Sequence, residues 1–154
     1  MEVAQTLAAN AAAPFILCDR LAAVLAPAGD DEPCSAVINV TAVEGKFSVG
    51  KKSHAHPHTN MGKAALNMLT FTSASSLYQT YRVLMNSVDT GWVTEMAPRG
   101  EGVNLGRHAT HVGPPLDEVD GASRVLDPWF SHLKDPAGWR VRGMCFRNYF
   151  VAGW

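Results

Sequence analysis

The apolar positions change period several times along the chain, and the changes predict its elements. Val3 to Ala12 reads as an Ala-rich helix that Pro14 should close, and Asp19 to Ala26 as a second, with Leu21, Val24 and Leu25 at helical spacing. Pro27 and Gly29 stop it, and the stretch from Gly29 to Pro33 is a loop. Ala36 to Val43 is rich in β-branched residues and predicts a strand. Glu44-Gly45 is a turn signal, with Lys46 to Gly50 as the hairpin partner. Gly62 to Leu69 predicts a short helix. Ser73 to Val88 predicts the best helix, with Leu77, Tyr81, Leu84 and Val88 at i, i+4, i+7 and i+11. Trp92 to Met96, Leu105 to Val112, Ser123 to Leu126 and Trp139 to Phe150 predict strands. Ala97 to Asn104 and Gly113 to Ala122 predict connections. Helices followed by a run of strands suggest an α+β domain with a mostly antiparallel sheet.

Composition narrows the class. The 154 residues fit one domain, 1–154, and are 47% apolar and 18% charged, which excludes a disordered chain. Lys plus Arg number 13 and Asp plus Glu 14, for a net charge of −1, which argues against a dedicated nucleic-acid binder. Apolar runs fall short of the ~18 residues that span a bilayer, and the start lacks the layout of a signal peptide. These features predict neither a nucleic-acid nor a membrane partner, and a location in the cytoplasm or export without a cleavable signal. The oligomeric state stays open. The three cysteines, Cys18, Cys34 and Cys145, are too irregular for a disulfide framework.

The stretch around His108 and the Asp127-Pro128-Trp129 segment carries the candidate chemistry. A histidine in one strand and an aspartate ending the next would meet if the strands paired, and the carboxylate would orient the imidazole. The plainer alternative is an ordinary strand histidine and an Asp-Pro turn. Gly106, His108, Ala109, Asp127, Pro128 and Trp139 resemble the His and Asp half of the bacterial protein-glutaminase family. More broadly they resemble papain-like and transglutaminase-like thiol enzymes. The resemblance implies a papain/transglutaminase-like fold and a cysteine-dependent amidohydrolase, with His108 as general base and Asp127 as its orienter. Trp129 would wall the substrate cleft. It further implies glutamine deamidation or peptide cleavage on a protein substrate, in the manner of a bacterial effector or toxin, with no cofactor.

The resemblance also implies a cysteine at a helix N-terminus upstream of the histidine, where the thiol pKa falls. The matching turn reads Ser73-Ala74-Ser75-Ser76 and holds none. Ala74 is then the nucleophile slot, with Ser75 and Ser76 as neighbours, in a nucleophile knockout or a pseudoenzyme. Otherwise the thiol comes from Cys18 or Cys34. A non-catalytic binding or adaptor module is the rival reading. His54, His56 and His58 alternate as metal ligands can, but no carboxylate follows, and an exposed polar loop with no metal is expected. Phosphate-loop, Gly-x-Gly-x-x-Gly and Gly-x-Ser-x-Gly motifs are absent.

Overall fold

The computed structural model describes residues 2–50, 52, 54, 56–93 and 114–154. Helices α1 (Glu2–Leu7) and α2 (Ala13–Leu25) are joined by a π turn over Ala8–Ala12 into one continuous helix. Pro14 therefore does not end a helix. It sits in the first turn of α2, and the wide turn before it, closed by Ala13 N–H on the Ala8 carbonyl, makes room for its ring. By length and composition alone this 24-residue helix could cross a bilayer, which corrects the expectation from apolar runs.

Strand β1 (Ser35–Thr41) follows, then a single 3-10 turn, Val43–Gly45. Lys46 to Gly50 form no strand, so the expected hairpin is absent. β1 pairs instead in parallel with β2 (Val83–Asp89), with Asn39 opposite Ser87 and Thr41 opposite Asp89. β2 is buried at all seven positions, as only a strand covered on both faces can be. Its Val-Leu-Met-Asn-Ser-Val run is thus a strand and not the end of a helix. Helix α3 (Pro57–Tyr81) crosses between the two strands. It stops where Arg82 turns left-handed at φ 55°, its guanidinium held by the carbonyls of Gly29, Asp30 and Glu32.

The sheet-facing stripe of α3 is Lys63, Asn67, Thr70 and Ala74, spaced i, i+4, i+7 and i+11. Lys63 Nζ donates to the Val40 carbonyl at 2.9 Å, and Asn67 Nδ2 donates to the Gly45 carbonyl at 3.0 Å. Asn39 Nδ2 and Ser87 Oγ each donate to Thr70 Oγ1 at 2.8 Å. Thr70 Oγ1 donates in turn to the Leu66 carbonyl at 3.2 Å. One buried hydroxyl therefore ties α3 to both strands.

The other face of β2 is covered by the chain after α4 (Glu118–Lys134). Asn86 bonds Val141 O and Met144 N. Ser123 to Leu126, expected as a strand, lies inside α4. A reciprocal capping box of Asp117 and Asp120 starts this helix, and that signal outweighs the β-branched Val125. The buried His132 accepts Cys34 N–H at Nε2 (3.0 Å), so its proton sits on Nδ1, which donates to the Trp139 carbonyl at 2.7 Å. The single terminal strand expected over Trp139 to Phe150 is two short ones, β3 (Cys145–Arg147) and β4 (Phe150–Ala152). Asn148 and Tyr149 turn between them at positive φ.

The sheet order is β1-β2-β3-β4, with the first three parallel and only β4 antiparallel. This mixed, mostly parallel sheet overturns the α+β, mostly antiparallel, papain-like expectation. Thr70→Val should orphan the Asn39 and Ser87 groups and cost about 2–4 kcal/mol, at roughly 1–2 per stranded buried group. Urea unfolding measures it, and an unchanged midpoint would contradict the hub role.

Candidate functional site

In an open parallel sheet, ligands bind beyond the carboxyl ends of the strands. Here the last residues of three parallel strands, Thr41, Asp89 and Arg147, stand side by side in register. They line a crevice of about 350 Å³ whose walls include Glu44, Lys63, Thr90, Gly91 and Trp92.

The local chain explains how Lys63 reaches this place. The turn Val43–Gly45 lies directly on α3, and a Cβ at Gly45 would come within 2.6 Å of the Lys63 backbone. Only glycine permits that approach. Lys52 Nζ steadies the same turn through the Val43 and Glu44 carbonyls at 2.7 and 2.8 Å. Burial lowers the Lys63 pKa from the ordinary lysine value, and Glu44 opposes that shift.

Beneath the crevice lies a buried charge cluster. Lys46 Nζ stands 3.8 Å from Asp89 Oδ2, both side chains being 3% exposed, and Arg147 Nε approaches the same oxygen at 3.8 Å. Gly91 N–H donates to Asp89 Oδ1 at 3.0 Å, with Gly91 at φ 82°. Asp89 Oδ2 and Thr41 Oγ1 are buried and make no hydrogen bond. Buried polar groups are normally paired, so two open positions at the strand ends mark a place for a ligand's polar atoms. All three tyrosines are elsewhere: Tyr81 lines another cavity, Tyr78 lies under Arg142, and Tyr149 under Arg124.

The residues named from sequence are dispersed. Ala74 is a core residue in the interior of α3, 1% exposed and facing the sheet, not at a helix N-terminus. Ser75 and Ser76 follow it in the same helix interior. Asp127 and Trp129 lie within α4 rather than at a strand end, with Trp129 stacked on Phe130 at 5.7 Å. His108 lies outside the described residues, as do the expected strand Leu105–Val112, the loop Ala97–Asn104 and the end of the strand expected from Trp92. Trp92 and Val93 themselves are not in a strand. The cysteines are free thiols, and burial raises the pKa of Cys18 and Cys145, against thiolate formation. His56 and His58 meet edge-on at 6.1 Å, and His58 Nε2 lies 3.5 Å from Glu2. Among the described residues no cluster of three or more His, Cys, Asp or Glu side chains forms.

No protein-family model matches the chain. An uncharacterized protein of Acanthamoeba polyphaga mimivirus is 34% identical over 109 residues, which is 64% of this chain and 21% of that protein. Among solved structures, the Drosophila melanogaster carbonyl reductase Sniffer matches with TM-score 0.66 at 21% identity, over 99% of this chain and 57% of that one. An NADPH-bound carbonyl reductase from chicken fatty liver matches at 0.59 and 20%, over 99% and 57%. A putative short-chain dehydrogenase/reductase of Burkholderia multivorans with bound NADP matches at 0.60 and 18%, over 94% and 52%.

The fold is therefore of the Rossmann type seen in short-chain dehydrogenases and reductases. The chain spans little more than half the length of these reductases and about a fifth of the viral relative. The papain-like resemblance falls with this finding, and so does the thiol amidase or deamidase function drawn from it. The adaptor reading gains no support either.

Sequence reasoning passed over Thr41, Lys63 and Asp89. The available signal was the unit itself: a β-branched run ending at Thr41, a long helical stretch, then a short largely apolar run from Val83 to Val88 ending in Asp89-Thr90-Gly91. Two outcomes check the electrostatics. Lys46→Met leaves Asp89 with only the half-exposed Arg147, and should cost about 3 kcal/mol by denaturant unfolding. Folding lowers the Lys63 pKa, so in the alkaline window below ordinary lysine titration the unfolded chain holds more protons. Stability there should rise with pH, and Lys63→Met should flatten that slope in pH-dependent urea melts.

Proposed function

We propose that this chain forms the nicotinamide and substrate side of an NADP(H)-dependent oxidoreductase that reduces carbonyl groups. The carrying observation is the pair of unpartnered buried oxygens, Thr41 Oγ1 and Asp89 Oδ2, beside Lys63 in the strand-end crevice. The carbonyl reductases and the NADP-bound protein of the same fold support the choice of chemistry.

The crevice suits one end of the cofactor. Asp89 Oδ2 is an open acceptor for an amide or ribose hydroxyl hydrogen, and Lys63 an available donor toward ribose or carbonyl oxygen. The Gly-x-Gly-x-x-Gly motif of pyrophosphate-binding turns does not occur in the sequence, and the described residues of the crevice fit the nicotinamide end. When bound, the nicotinamide supplies hydride to the carbonyl carbon.

The chain's own groups manage the oxygen. The Thr41 hydroxyl donates a hydrogen bond to the carbonyl oxygen as negative charge develops there. No phenol lines the crevice, so the proton comes from the Lys63 ammonium. Its lowered pKa brings it nearer the working range of a general acid. The neutral amine then takes a proton back from solvent. Trp92 walls the mouth and limits water around the reacting oxygen.

Reduced nicotinamide mononucleotide tests the half-site on this chain alone. Its addition should shift NMR signals of Thr41, Lys63 and Asp89 to Val93. Lys63→Met should weaken binding about fivefold, the worth of one hydrogen bond to the ribose of about 1 kcal/mol. Shifts clustered elsewhere, or none at millimolar ligand, would contradict the assignment.

A further inference from the structure

One flank of α3 is apolar and uncovered. Ala64, Met68 and Phe71 each stand one residue on from the sheet-facing Lys63, Asn67 and Thr70, and recur at i, i+4 and i+7. Met68 is 56% and Phe71 61% exposed. Two other segments gather against this flank. The chain after the 3-10 turn brings Phe47, 85% exposed, and the chain after β4 brings Trp154. Ser48 N–H donates to the Trp154 carbonyl at 3.1 Å and joins those two segments. Phe71 and Trp154 meet edge-to-face with ring centroids 5.8 Å apart. Three aromatic side chains from three parts of the chain thus surround one pocket of about 160 Å³. Its described lining residues are all different from those of the strand-end crevice.

Size and polarity define what fits. Apolar cavities of about 150 Å³ take up a benzene ring, and this pocket is of that size. The buried polar side chain on its wall is Asn67, 5% exposed. Its Nδ2 donates to the Gly45 carbonyl, and only the amide nitrogen can face a carbonyl. Oδ1 is therefore the end left over, and it is buried without a hydrogen bond among the described residues. Buried polar groups are normally paired. The open position is an acceptor, so the missing partner is a donor. The main-chain carbonyls nearby are already engaged: Gly45 by Asn67, Val43 and Glu44 by Lys52, and Trp154 by Ser48. A peptide backbone finds no ready partner there, which favours a free small molecule.

We infer that this pocket binds a small planar aromatic molecule of one or two rings carrying a single N–H or O–H donor, of the indole or phenol type. The ring lies among Phe47, Phe71 and Trp154, where aromatic contacts add to the burial of apolar area. The flexible Met68 thioether adapts to its outline. The donor reaches Asn67 Oδ1 and fills the position that the fold leaves open. Selectivity follows from the same atom. A ring of equal shape that presents an acceptor sets lone pair against lone pair and leaves Oδ1 unpaired.

Indole and benzofuran are the probes, since they share a shape and differ in N–H against O. Titrated into the full 154-residue chain, indole should shift the NMR signals of the Asn67 side-chain amide, Phe71 and Trp154. Benzofuran should bind at least about fivefold more weakly, for want of the hydrogen bond. Phe71→Ala, at an exposed position, should leave the far-UV spectrum unchanged and weaken indole binding about tenfold through the lost aromatic wall. Asn67→Leu should bring the two probes level. If that variant does not fold, the ratio of indole to benzofuran affinity on the unsubstituted chain decides alone. No binding at millimolar indole, equal binding of the two probes, or indole shifts confined to Thr41 and Asp89 to Val93 overturns the inference. So does N-acetyltryptophanamide binding about tenfold more tightly than indole, which gives the pocket to a peptide's side chain. A dimer of the free chain that Phe71→Ala dissociates and indole does not gives this face to a second copy and overturns it too.

Discussion

Everything in the site hangs from the Thr70 hydroxyl. It accepts from Asn39 on β1 and Ser87 on β2, two residues directly opposite each other in the parallel register. A slip of one residue would turn one of these side chains to the other face and strand it. The hydroxyl therefore fixes both the register and the height of α3 above the strands. Two turns earlier on the same stripe, Lys63 arrives at the strand ends, and one turn later Ala74 packs into the core. The position of the lysine is a consequence of the packing of α3 on the sheet.

The strand ends are held open at a cost. Lys46 and Asp89 are a buried ion pair at 3.8 Å, longer than a hydrogen bond, and Asp89 Oδ2 faces two cations without bonding either. Such an arrangement is weak evidence for stability, since desolvation offsets most of the attraction. It makes more sense as a preorganised acceptor: charge neutralised, oxygen uncommitted. Thr41, opposite Asp89, is uncommitted in the same way. Gly45 completes the construction by letting the 3-10 turn lie against the Lys63 backbone.

The sequence made some of this legible. β1 is visible in its β-branched run, and the helical pattern of α3 is visible in two pieces. Its end was not, because Leu84 and Val88 continue a helical spacing from Leu77 and Tyr81, while Arg82 breaks the helix through a left-handed turn that arginine seldom marks. The parallel pairing was hidden for a related reason: Glu44-Gly45 is a good hairpin turn, but Gly45 is there for its contact with α3. In α4, Asp127-Pro128 suggested a strand end although the Asp117 and Asp120 box had already started a helix. The catalytic reading failed with the fold, because a His and an Asp at suggestive spacing carry meaning only on strands that pair. Thr41, Lys63 and Asp89 form no local motif. They come together through the sheet, and each looks ordinary in its own segment.

The strand-end crevice is proposed to fit the nicotinamide end of a dinucleotide. Saturation-transfer NMR with NADPH on the free chain tests that fit most directly. The account predicts transfer to the nicotinamide ring protons and none above background to the adenine protons. Transfer led by adenine, or none at either end, would contradict it.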